Sequence, residues 1–133
     1  MPSPDVIFEK VKTCLSQALG VKPDEVVPEA ALVDDLGAES IDFVDIVYRL
    51  EKSFDIKIPR GELFPQDLLR NPLYVSLGKL TPLGAEELRK RLDFSPLPPF
   101  NANLDVDKLL SSLFTVRMIT DFVVSKLRQA ARG

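Results

Sequence analysis

DDLGAESIDFVDIVYRLEKSFDIKIP, residues 34–59, places one long helical pattern behind a short glycine-containing loop. Ile46, Val47, Leu50 and Phe54 recur at helical spacing with few breakers between them, which predicts a helix over about residues 40–54. Gly37 and Ala38 lead into it, Ser40 stands at its start, and Pro59 with Gly61 closes the unit. A serine at such a place ordinarily does no more than cap the helix, because its hydroxyl can accept a backbone N–H.

Working outward toward the N-terminus, Ile7, Val11, Cys14, Leu15 and Ala18 form an apolar stripe that predicts an amphipathic helix over residues 5–19, with Gly20 as its C-terminal cap. The connection from there to Gly37 contains Pro23 and Pro28, and Val26, Val27, Leu32, Val33 and Leu36 are available to anchor it to a core.

Downstream the character changes. Pro65, Pro72, Pro82, Pro96, Pro98 and Pro99 cut residues 60–112 into short pieces. One piece is well signalled: Thr81 can cap, Pro82 suits a first turn, Glu86, Leu88 and Leu92 continue a helix to about residue 92, and the run Arg89 to Arg91 complements its C-terminus. A short helical piece is expected over residues 106–113, then a long closing helix over 115–131 on Val116, Ile119, Val123, Val124 and Leu127. No repeat and no alternating strand pattern is present, and residues 74–77 are too short to count as a strand, so the predicted class is all-α.

Composition removes several kinds of chemistry. At 133 residues and 45% hydrophobic content, one domain can build a core unaided. Cys14 is the single cysteine and there is no histidine, so disulfide scaffolds, zinc sites and histidine-based catalytic sets are not expected. Cys14 itself lies on the apolar stripe and reads as a small core residue. The acidic run Asp34, Asp35 and Glu39 lacks the alternating oxygen ligands of a calcium loop. No apolar run approaches the roughly 20 residues of a spanning helix. The start, Met1 to Asp5, lacks signal-peptide regions, and a cytoplasmic monomer without membrane insertion is expected. Asp and Glu outnumber Lys and Arg by 12 to 6 over residues 1–58, and the balance is 8 to 11 afterwards. An acidic front half suits basic protein partners and argues against nucleic acid, though an ordinary solvated face would show the same charges.

Asp35, Leu36, Gly37, Ala38, Glu39, Ser40 and Ile41 resemble the core pattern of the acyl carrier protein family: an acidic residue, Leu, Gly, a small residue, Asp, Ser and Leu, before a helix with spaced acidic residues. The likeness runs from Val6 through Pro59 and resumes at the closing helix, with roughly fifty residues between as an insertion. Glu39 stands in place of the usual Asp, and Arg49 and Lys52 put positive charge where the family is neutral or acidic.

The resemblance implies an antiparallel four-helix bundle in a single domain 1–133, with a core of residues 5–59 and 105–131 and an insertion of about 60–104 before the last helix. It implies a carrier, not an enzyme. Ser40 would receive 4′-phosphopantetheine from coenzyme A through a phosphopantetheinyl transferase and hold acyl groups as thioesters for enzymes of fatty acid or specialised lipid biosynthesis. Acyltransferases and ketoacyl synthases with basic docking patches would meet Asp35, Glu39, Asp42, Asp45 and Glu51, with Ile41, Val44 and Tyr48 as apolar contacts. An acyl chain folding back into the bundle would meet Leu32, Val33, Phe43, Leu50 and Phe54, residues that serve plain core packing equally well; Phe43 is bulkier than the family's usual residue there. The insertion carries Leu63, Phe64, Leu68, Leu69, Phe94 and Phe100, which suits a packed lid better than a disordered linker. Two other readings stay open: a peptidyl or polyketide carrier, and an unmodified helical interaction protein in which Ser40 is only a cap.

Overall fold

The computed structural model describes residues 2–97 and 102–132; Pro98, Pro99 and Phe100 lie outside them. Helix α1 (Pro4–Leu19) starts where Ser3 Oγ accepts the Val6 N–H and ends at Gly20, whose N–H reaches Ser16 O at 2.9 Å. Helix α2 (Ser40–Phe54) has the bounds its periodicity predicts and stops at Asp55, which turns left-handed at φ 53°. Ile7, Val11, Cys14 and Leu15 of α1 and Ile46, Leu50 and Phe54 of α2 are buried, and α1 packs against both α2 and the closing helix α6 (Val116–Arg132). Full burial of one such Leu or Ile contributes roughly 1.5–3 kcal/mol, so these stripes carry the bundle.

Between α2 and α6 come α3 (Gln66–Arg70), strands β1 (Val75–Ser76) and β2 (Lys79–Leu80), α4 (Pro82–Arg91) and α5 (Val106–Leu113). Thr81 caps α4 as predicted, its Oγ1 accepting the Gly84 N–H at 3.0 Å, and Asp105 caps α5 by accepting from Asp107 and Lys108. The expectation of no strand is corrected by the antiparallel pair, in which Val75 faces Leu80 and Ser76 faces Lys79. Its turn puts both Leu77 (φ 54°) and Gly78 (φ 76°) in the left-handed region, the requirement of a tight type I′ hairpin. Leucine is a poor signal for that conformation, and two-residue strands are too short to show alternation.

Leu63, Phe64, Leu68, Leu80, Ala85, Leu88 and Leu92 join the same buried cluster as the residues of α1, α2 and α6. Polar ties reinforce the seating: Lys126 Nζ meets Glu62 at 2.9 Å, buried Ser95 donates its hydroxyl to Asp121 at 2.6 Å, and Phe94 lies edge-on to Phe122 at 5.2 Å. The loop before α2 is stitched to the junction of α5 and α6. There Leu32 N–H donates to Phe114 O (2.9 Å), Val116 N–H to Ala30 O (3.0 Å) and Arg117 N–H to Pro28 O (2.9 Å).

Candidate functional site

Three local devices shape the loop that delivers Ser40. The Asp35 carboxylate accepts the Ala31 N–H at 2.7 Å, closing a turn across the buried residues Ala31 and Leu32. Ala38 N–H then returns to Leu32 O at 2.8 Å. Gly37, at φ +72°, makes the reversal that a side chain would resist, and a Cβ built on it would have nothing within 4 Å, so the approach from this side is open.

Ser40 is exposed and is the first helical residue of α2, with Glu39 in the cap position. The cap is closed by Asp42, whose Oδ2 accepts the Glu39 N–H at 2.8 Å. Capping therefore does not use the Ser40 hydroxyl, for which no partner is found among the described residues. An uncommitted hydroxyl on an open surface at the positive end of a helix fits a phosphodiester linkage, which gains from nearby N–H groups and the macrodipole.

Along α2, Ile41, Val44 and Tyr48 form one stripe that is 74%, 68% and 57% exposed, far above what core residues show. Around it the acidic residues differ in their commitments. Asp45 holds Arg49 Nε at 3.0 Å, and Arg49 also reaches Gln17 of α1 at 3.1 Å, so its charge is turned toward α1. Glu51 is half-buried and accepts the Ile58 N–H at 2.8 Å. Lys52 lies 5.6 Å from the centre of the Tyr48 ring.

Of the residues expected along an acyl chain, Leu32, Leu50 and Phe54 are buried, whereas Val33 and Phe43 are half-buried. Phe43 does not face an empty space: its ring centre is 4.6 Å from that of Phe64, which is 5.2 Å from Phe114. The pattern of residues 60–65 shows Phe64 as apolar but gives no periodicity that would have placed it against Phe43.

Cys14 is buried in the α1–α2 core, and burial pushes its thiol up against the opposing influence of Ser53, Arg49 and Lys10, as suits a small core residue. Among the described residues no group of three or more acidic or cysteine side chains is placed to hold a metal ion, and no helix is long and apolar enough to cross a membrane.

Two comparisons bear on this arrangement. Residues 9–69, which include Ser40, match the family profile described as a phosphopantetheine attachment site. Over 63 residues the chain is 46% identical to an acyl carrier protein of Thermotoga maritima, covering 47% of this chain and 78% of that relative.

Proposed function

Because this chain belongs to the acyl carrier protein family, whose members are phosphopantetheine-bearing carriers and not enzymes, we propose that Ser40 is the residue that takes the arm. The observation that carries this reading is the exposed, uncommitted hydroxyl at the first helical position of α2, behind an open glycine turn. In the attachment step Ser40 Oγ bonds to the pantetheine-side phosphorus of coenzyme A, the pyrophosphate bond breaks, adenosine 3′,5′-bisphosphate leaves, and the serine proton passes to the transferase. When bound, the arm supplies a terminal thiol that carries acyl groups as thioesters.

The chain's own residues position the arm and present it. Asp35 and Asp42 fix the backbone leading up to Ser40 by holding the Ala31 and Glu39 N–H groups, and α2 offers the docking surface. On that surface Ile41, Val44 and Tyr48 make the apolar contact, and Glu39 and Asp42 steer basic patches of the transferase, acyltransferases and ketoacyl synthases, with Asp45, already paired with Arg49, adding less. Asp35 and Glu51 contribute charge at the margins while holding backbone N–H groups. Leu32, Leu50 and Phe54 belong to the packed core, and half-buried Val33 and Phe43 stand at its edge, so we read these five as packing residues in the first place. We read residues 60–104 as an insertion within one domain, supported by their share in the common core. The acidic helix favours fatty acid or specialised lipid biosynthesis, and a cytoplasmic location accompanies the use of coenzyme A.

Incubating the protein with coenzyme A, magnesium and a broad-specificity phosphopantetheinyl transferase should raise its intact mass by about 340 Da, the mass of the arm, and Ser40→Ala should abolish the gain. No gain in the wild type, under conditions that load another carrier, refutes the assignment and favours an unmodified interaction protein.

A further inference from the structure

Ser40 and Phe43 are three residues apart on α2 and therefore share a helix face, so the Phe43 ring stands at the inner edge of the attachment point. The ring it meets, 4.6 Å away, is Phe64 from the segment after Pro59, and Phe64 in turn closes edge-on against Phe114 at 5.2 Å. Phe64 is 8% exposed and Phe114 2%, so these two rings belong to the core, with half-buried Phe43 at its edge. Fully buried Leu32 is tied to the same row, its N–H bonded to Phe114 O.

Phe64 is also held from both flanks. Glu62 is clamped by Lys126 of α6 with contacts at 2.9 and 3.2 Å, the neighbouring Leu63 is 1% exposed, and Gln66 N–H donates to Phe64 O at 2.8 Å. A ring tied in this way packs as part of the core and is unlike a loose flap. Dense packing leaves a chain of methylenes no volume unless a ring moves.

We infer that Phe64 is a fixed plug that shuts the interior of the bundle at the Ser40 end, so that an alkyl group carried on the arm stays outside the fold with its thioester open to solvent. This deepens the carrier reading and rests on it. Cargo selection then falls to the enzymes that dock on α2, since the carrier gives long and short acyl groups the same exposure.

The test compares acetyl and octanoyl groups on the arm of the full chain, following thioester cleavage by hydroxylamine with intact mass. In the wild type both should be cleaved at rates within about twofold, because neither is sheltered. Phe64→Ala should open the route and slow octanoyl cleavage about tenfold relative to acetyl, which corresponds to roughly 90% occupancy of a sheltered state. Phe64→Leu, which keeps the core filled better, should shift the ratio in the same direction if the alanine variant fails to fold. Phe94→Ala removes the ring packed on Phe122 instead and should leave the two rates equal, separating a specific opening from general loosening. Aromatic NMR signals of Phe64 and Phe114 should not move on octanoyl loading of the wild type. Octanoyl protection in the wild type, or equal rates in both Phe64 variants, overturns the plug while leaving the carrier reading intact. Absence of the arm on Ser40 shows earlier, as a missing mass gain, and overturns both.

Discussion

The Glu51 carboxylate accepts the Ile58 N–H at 2.8 Å, bridging the turn that ends α2. One of the three acidic residues of α2 thereby acts as a backbone clasp for the chain entering Pro59. Glu51→Ala removes the acceptor and leaves a partly buried N–H unpaired, so a loss of about 1 kcal/mol is expected, visible as a fall of a few degrees in Tm by circular dichroism. Glu51→Gln keeps an acceptor and should recover most of it. An unchanged Tm in the alanine variant would show that the clasp contributes nothing.

Ser40→Ala should leave the fold untouched. The hydroxyl caps nothing among the described residues, and alanine is the better helix former, so stability should stay within about 0.5 kcal/mol. Chemical denaturation of the two proteins side by side checks this. A larger loss would assign Ser40 a structural task.

On the exposed stripe, Val44→Glu tests docking without touching the core, because Val44 is 68% exposed. Tm should hold, while kcat/KM for arm attachment by the transferase should fall about tenfold, or roughly 1.4 kcal/mol of lost binding in the transition state. Initial rates by intact mass measure it, and an unchanged rate would move the docking surface elsewhere.

At Gly84 α4 runs hard against the segment leading into the hairpin: a Cβ there would collide with Tyr74 O. Since the obstacle is backbone, Gly84→Ala must push α4 away and should cost about 1–3 kcal/mol. Denaturant unfolding is the measurement, and no loss of stability would mean that this contact yields freely.

Burial raises the Asp67 carboxyl, but the hydrogen bond and charge of Arg91, 2.9 Å away, outweigh it and hold the group below its ordinary 3.8. A carboxylate depressed in the folded state adds stability above its unfolded value and forfeits it as pH falls through the folded one. Asp67 is 60% exposed, so the contribution is held to below about 1 kcal/mol. Asp67→Asn should therefore be slightly less stable than wild type at neutral pH, with the gap closing below about pH 4. A gap that persists in acid would mean that the ion pair is not its source.

Where a helix announces itself through periodicity and caps, local sequence sufficed: α2 begins at Ser40 and α4 begins behind Thr81 as their residues predict. The hairpin was hidden because its turn opens on Leu77, a residue that rarely turns left-handed. The site divided in the same way. The place of Ser40 at the start of α2 was legible from spacing and the stripe Ile41, Val44 and Tyr48 came from the family resemblance, whereas the backbone bonds of Asp35 and Glu51 depend on where N–H groups arrive in the fold. Phe64 and the Lys126–Glu62 pair, 64 positions apart, express packing between segments that no local pattern encodes.

The stitch between the loop before α2 and the start of α6 joins places as far apart as Glu29 and Arg117, 88 positions along the chain. Closing a loop of that length costs on the order of 4 kcal/mol in chain entropy before any contact repays it, whereas α1 and α2 meet locally. The backbone bonds that hold the loop before Ser40 are therefore complete only when the start of α6 is in place.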